Sequence, residues 1–223
     1  MCKTSFNPEK TFTYVKGDTA SGHMFGAMKA LNFAREKHDG QFRKSGDPYI
    51  IHPLIMACNA LALGIEDENV IAGILLHDVC EDCLDEAGNP IKPSALPVND
   101  EVRRCVELLT FTVNDGETKA EAKKRYYTDI RQSREAVLAK LIDRCNNISN
   151  MAGTFTIEKL TAYIEETKEY IYPLMHWAKE NYPEYSNMLF LLKYHMISVI
   201  NSIEAMRSYS DMPQCREVGK SDT

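Results

Sequence analysis

Apolar side chains recur along this chain at helical spacing. Met24, Ala27, Met28, Leu31 and Ala34 fall three or four residues apart, which predicts an amphipathic helix over about 22–37. The same reading predicts helices over 52–63, stopped by Gly64, and over 67–83. Further helices are predicted over 100–109, 119–133, 134–151, 157–181 and 183–209. The segment DGQFRKSGDP, 39–48, holds two glycines and a proline and reads as an ordered loop. Residues 85–99 carry three prolines and one glycine and read as a surface excursion. No internal repeat, low-complexity tract or alternating strand pattern of useful length interrupts the series. The fold class is therefore all-α, a single helical bundle. It is divided into an N-terminal segment (1–21), one domain (22–209) and a polar, flexible tail (210–223).

Composition narrows the partners. The chain has 223 residues, enough for one domain with a full core. The net charge of -6 gives no support for a nucleic-acid or anionic-membrane partner. A phosphorylated substrate would have to meet locally gathered positive charge or a metal. The longest apolar run, Val70 to Leu76, falls well short of the ~18 residues a bilayer span requires. The N-terminus MCKTSFNPEK lacks the apolar stretch of a signal peptide. A cytoplasmic location follows as the expectation. The seven cysteines, an odd number scattered at 2, 58, 80, 83, 105, 145 and 215, fit free thiols in a reducing compartment. Cys80 and Cys83 form a C-x-x-C pair, but neither a βαβ context nor a second ligand pair accompanies it.

The strongest local signal is LLHDVCED, Leu75 to Asp82. On a helix His77 and Glu81 are four apart, as are Asp78 and Asp82, so the pairs lie on neighbouring strips of one face. Four ionisable groups directly after an apolar run are costly to bury unless they are paired or hold a cation. The alternative is a helix end entering solvent with surface carboxylates. Two more segments bear on the choice. His52 stands before Pro53 in YIIHPL, where a histidine is also an ordinary core or capping group. Asp143 sits in LAKLIDRCNN among Leu138, Leu141, Ile142, Cys145 and Ile148, and an aspartate there wants a partner. Two histidines and two aspartates from three helices would supply half or more of an octahedral shell, a donor set suited to Mn²⁺, Fe²⁺ or Zn²⁺ rather than Ca²⁺.

The order H…HD…D resembles the HD phosphohydrolase superfamily. The longer match is to its RelA/SpoT-type branch, hydrolases of the alarmones ppGpp and pppGpp. AREKHDGQFRKSGDPYIIHPL, ILLHDVCED and AKLIDRCNN are similar to the branch's three signatures, in that order, with a fainter likeness at EYIYPLMH. The resemblance spans about 27–176. It implies an HD-domain bundle with a metal site between helices, holding one ion, usually Mn²⁺, on His52, His77, Asp78 and Asp143. It implies that Glu81 and Asp82 position and activate the attacking water. It implies nucleotide contacts from Arg43, Lys44 and Ser45, and a ribose or 3′-phosphate contact from Asn147. The expected reaction is removal of the 3′-pyrophosphate from (p)ppGpp or a related purine alarmone.

Two departures stand out. The third signature usually reads like DRLHNMRT, whereas this chain has DRCNNISN, with Asn146 for the histidine and Asn150 for the threonine that commonly helps read the base. The loop 84–99 is longer than usual and is a candidate to cover or reshape the site. The length resembles that of the small stand-alone alarmone hydrolases. Rival readings are an HD enzyme acting on another nucleotide such as ppApp or NADPH, and a nucleotide-binding or antitoxin module. The carboxylates Glu81 and Asp82 argue for turnover, because a pure binder has no need of them. Base preference and oligomeric state are not written in the sequence.

Overall fold

The computed structural model describes residues 6–210. Among these residues the regular secondary structure is helical: α1 (Pro8–Ser21), α2 (Phe25–Lys37), α3 (Ile51–Ala62), α4 (Glu68–Leu76), α5 (Val79–Asp82), α6 (Asp100–Leu109), α7 (Lys119–Asp129), α8 (Arg134–Met151), α9 (Ile157–Glu166), α10 (Tyr172–Asn181) and α11 (Ser186–Ser210). Two isolated bridges, Phe42 with Pro48 and Leu84 with Pro90, close the two long loops. The predicted all-α bundle is thus the observed one. The segment after Ser210, expected to be a flexible tail, lies outside the described residues, as do Cys2 and Cys215.

α4 is the axis of the bundle. Every residue from Val70 to Leu76 is buried, as a helix that is apolar all round must be. Asp67 caps its N-terminus, accepting from the amides of Asn69 and Val70. α2, α3, α6 and α8 pack around it. α8 is the second hub, touching α3, α4, α6 and α11. Its N-cap is Ser133, and α7 begins with a capping box between Thr118 and Glu121. The helices predicted over 100–109 and 134–151 are found at those bounds.

Several predicted elements differ. Residues 1–21, set apart by the sequence pattern, contribute α1, which sends Phe12 and Val15 into the core and packs on α2 and α3. The continuous helix predicted over 67–83 breaks at His77 and Asp78. There the Nδ1 of His77 turns back onto the Ile74 carbonyl, the acceptor at which the helical ladder would continue. The helix predicted over 119–133 ends its last turn as a 3₁₀ segment, Ile130–Gln132. The helix predicted over 157–181 is split by a π turn, Thr167–Ile171. Pro173 is the cause: it has no N–H for the Glu169 carbonyl, and its ring crowds that carbonyl, so the turn widens.

The loop 39–48 is folded on itself. The Arg43 amide donates to Asp47 O (2.8 Å) and the Tyr49 amide to Gln41 O (2.8 Å), with Gly46 at φ +87°. The loop 84–99 is pinned by buried Ile91 and Leu96, and Arg103 donates to Leu96 O. No helix among the described residues is long and apolar enough to cross a membrane.

Candidate active site and metal centre

The break after α4 aims His77 and Asp78 into a cleft between α3, α5, α7 and α8. His77 Nε2 lies 3.0 Å from Asp78 Oδ2, and His52 Nε2, brought by α3, lies 3.7 Å from the same oxygen. Ligand atoms of these three residues fall within 4.8 Å of one another. Asp143 on α8 joins them, its Oδ1 3.3 Å from His52 Nε2 and 3.9 Å from His77 Nε2.

The imidazoles are oriented for ligation. His77 Nδ1 donates to Ile74 O (2.8 Å), and His52 Nδ1 faces Asn146 Oδ1 (2.9 Å). Each ring nitrogen so occupied leaves Nε2 as the free electron pair. His77 Nε2 is buried with no hydrogen-bond partner, which is costly in an apolar interior and is relieved by a cation at that point. Burial acts to raise Asp78, but the adjacent His77 more than offsets it and keeps the carboxyl well below its ordinary range. Burial would lower His77, but the negative charges of Asp78 and Asp143 more than offset it, and the same field favours a cation at this point. Two imidazole nitrogens and two ionised carboxylates facing one point form a donor set that fits a divalent transition metal.

Around this centre stand the proton-handling and charged groups. Glu81 accepts from the Phe111 amide, and burial pushes its carboxyl above the ordinary value. Tyr49 Oη lies 2.7 Å from both Asp78 Oδ2 and Asp82 Oδ2, so one phenol links a candidate ligand to a candidate base. Gln41 secures the same corner by donating to Asp82 O (2.9 Å). Lys140 lies 3.1 Å from Asp143 Oδ2. Asn147 donates to Asp143 Oδ1 (2.6 Å) and accepts from Arg43 Nη2 (3.2 Å).

These side chains line a cleft of about 470 Å³ whose far wall is cationic and aromatic. Lys119, Lys123 and Arg144 face it together with Tyr126, Tyr127 and Tyr163. Arg144 is 2% exposed, donates to Tyr127 Oη (2.9 Å), pairs with Glu166 and lies over the Tyr163 ring at 3.9 Å. Glu166 also pairs with Lys123; burial acts to raise it, but Arg144 and Lys123 hold its carboxyl down to about 2.

The structure brings together His52, His77, Asp78, Glu81, Asp82, Asp143, Arg43 and Asn147. It does not bring Lys44, Ser45 or Asn150 into the cleft lining. Lys44 is exposed, and its charge falls on Lys159. Asn150 is exposed and spends an amide hydrogen on Asn146 O (2.8 Å), one turn below. The loop 84–99 contributes no lining residue. Sequence reasoning missed Tyr49, Lys140, Arg144, Glu166 and the α7 lysines. Lys140 carried a usable signal, standing three residues before Asp143 on one helix face. The α7 residues carried none, since a lysine-rich helix reads as a solvated face.

The model of a family described as "HD domain" matches residues 30–175. Among curated relatives, the guanosine-3′,5′-bis(diphosphate) 3′-pyrophosphohydrolase of Aquifex aeolicus is 36% identical over 161 residues, covering 69% of this chain and 22% of that protein. The protein of the same name from Haemophilus influenzae is 33% identical over 146 residues, covering 64% and 21%. This chain thus spans about a fifth of the length of these relatives. A solved structure described as a metazoan ortholog of SpoT that hydrolyzes ppGpp superposes with a TM-score of 0.52. At 24% identity over 82% of this chain and 95% of that one, it shares the fold. A match that runs from α2 through α10 and takes in every residue at the point where two histidines and two aspartates meet identifies the chain as a member of the HD domain family, with homology to the SpoT/RelA hydrolases.

Proposed function

We propose that the chain is a metal-dependent hydrolase that removes the 3′-pyrophosphate from ppGpp or pppGpp, leaving GDP or GTP. The observation that carries this reading is the junction of His52, His77, Asp78 and Asp143 with Glu81 and Asp82 at one end of a cationic, aromatic cleft. The names of its relatives supply the substrate class.

His52, His77, Asp78 and Asp143 would hold one divalent ion, which we take to be Mn²⁺. Such an ion polarises a phosphoryl oxygen and lowers the pKa of water. Glu81 and Asp82 accept the proton as water attacks the phosphorus attached to the ribose 3′ oxygen. The bond from that phosphorus to the 3′ oxygen breaks, the ribose regains a hydroxyl, and pyrophosphate leaves. Arg43 and Asn147, already bonded to each other, hold the ribose and 3′-phosphate end, with Lys44 and Ser45 on the same loop. Lys119 and Lys123 answer the remaining phosphate charge, which the net charge of -6 conceals. With the Asn150 amide turned to a backbone carbonyl, selection of the base falls to side chains that line the cleft. The work is cytoplasmic and the partner a free nucleotide.

The test is release of pyrophosphate from ppGpp and ppApp, and of phosphate from NADPH, with Mn²⁺ and with chelator. Mn²⁺-dependent pyrophosphate from ppGpp is expected. Release of phosphate from NADPH alone would move the chain to another substrate within the same chemistry. Tight nucleotide binding without any turnover would make it a binding module.

A further inference from the structure

Of the two imidazoles at the metal centre, His77 is oriented by a backbone carbonyl, which no substitution can remove. His52 is oriented by a side chain. Its Nδ1 is 2.9 Å from Asn146 Oδ1, and both residues are buried, 2% and 4% exposed. Asn146 stands three residues after Asp143 on α8, so one face of that helix grips both edges of the His52 ring: Asp143 Oδ1 at Nε2 (3.3 Å) and Asn146 Oδ1 at Nδ1.

Resting on the metal site proposed above, we infer that Asn146 is a positioning residue that fixes the Nδ1–H tautomer of His52 and so sets the affinity of the centre for its metal. An amide oxygen can only accept, so it requires a proton on Nδ1 and leaves Nε2 unprotonated toward Asp78 and Asp143. Without that acceptor the ring can rotate, or carry its proton on Nε2, and either outcome withdraws a ligand. Groups that hold the far nitrogen of a ligating histidine typically contribute 10- to 100-fold in metal affinity. The role is separate from catalysis, since Asn146 does not line the cleft.

The experiment is a Mn²⁺ titration of the full chain, read by the electron paramagnetic resonance of free Mn²⁺. It is combined with thermal unfolding. Asn146→Leu, close in size and unable to accept, should weaken Mn²⁺ binding by roughly 10- to 100-fold. Asn146→Asp keeps the acceptor and should bind at least as tightly as the parent. At saturating Mn²⁺ the turnover of Asn146→Leu should largely recover, which loss of a reacting group would not permit. A parent that binds no Mn²⁺ removes the metal-site reading itself. A parent that binds while Asn146→Leu binds equally well overturns the inference alone. If Asn146→Leu fails to fold, weak binding by Asn146→Asp overturns it equally.

Discussion

Gly73→Ala tests whether the packing of α4 is as tight as the structure has it. A methyl on Gly73 would stand 2.7 Å from Cys105 Sγ, about 1 Å inside ordinary van der Waals contact. Cys105 is fully buried on α6, so the thiol has nowhere to retreat. Two effects oppose each other. Alanine gains about 1 kcal/mol over glycine in a helix interior. Overpacking a filled core costs about 1–3 kcal/mol. The net expectation is destabilisation of up to about 2 kcal/mol, or a fall in Tm of roughly 2–4 °C per kcal/mol for a chain of this size. The strain should reach the metal centre, because His77 lies one turn beyond Gly73. The assay is a double-mutant cycle with Cys105→Ala, measured by urea unfolding and by Mn²⁺ affinity. Removing Sγ should open room for the new methyl, giving a favourable coupling of about 1 kcal/mol or more. A Gly73→Ala protein about 1 kcal/mol more stable than the parent, with no coupling to Cys105, would refute the close approach of α4 and α6.

Asp143→Ala should abolish Mn²⁺ retention and turnover while far-ultraviolet circular dichroism stays helical; turnover at the parent rate would remove Asp143 from the ligand set. Glu81→Gln should retain Mn²⁺ and lose roughly two to four orders of magnitude in turnover, the scale of a positioned acid–base group. Equal losses of metal and activity would make Glu81 a ligand instead. Acid unfolding should report on Glu166, whose carboxyl is held at about 2 against an ordinary value of 4.5. Because the folded value is depressed, the stabilisation is complete above about pH 4.5 and is lost as pH falls toward 2. Glu166→Gln should flatten that acid limb, and an unchanged slope would count against the pairing with Arg144 and Lys123.

The sequence made the candidate metal centre legible because its residues break a rule. Asp143 in an apolar stretch and His77–Asp78 after an apolar run are costly burials that need a reason. Helix existence was legible from periodicity, and the bounds at 100–109 and 134–151 from their caps. What periodicity could not reveal were the interruptions, since both depend on a single local bond. One is the His77 ring taking the Ile74 carbonyl; the other is the hydrogen bond that Pro173 cannot make. α1 escaped notice because its buried face is narrow, with two threonines beside Phe12 and Val15. The wall formed by Lys119, Lys123 and Arg144 was hidden for a different reason. Charged residues acquire meaning there only through neighbours distant in sequence, such as Glu166.

The folded loop 39–48 and its exit at Tyr49 touch two things at once. Arg43 meets Asn147 in the cleft, while Gln41 and Tyr49 grip the backbone and carboxylate of Asp82. Whatever docks against Arg43 therefore leans on the frame that holds the Asp82 carboxylate, the proton acceptor proposed above. On that proposal, substrate fit and chemical competence are mechanically joined. A nucleotide lacking the group that Arg43 recognises should be penalised in kcat and not in KM alone, because binding energy at the loop is converted into alignment at Asp82.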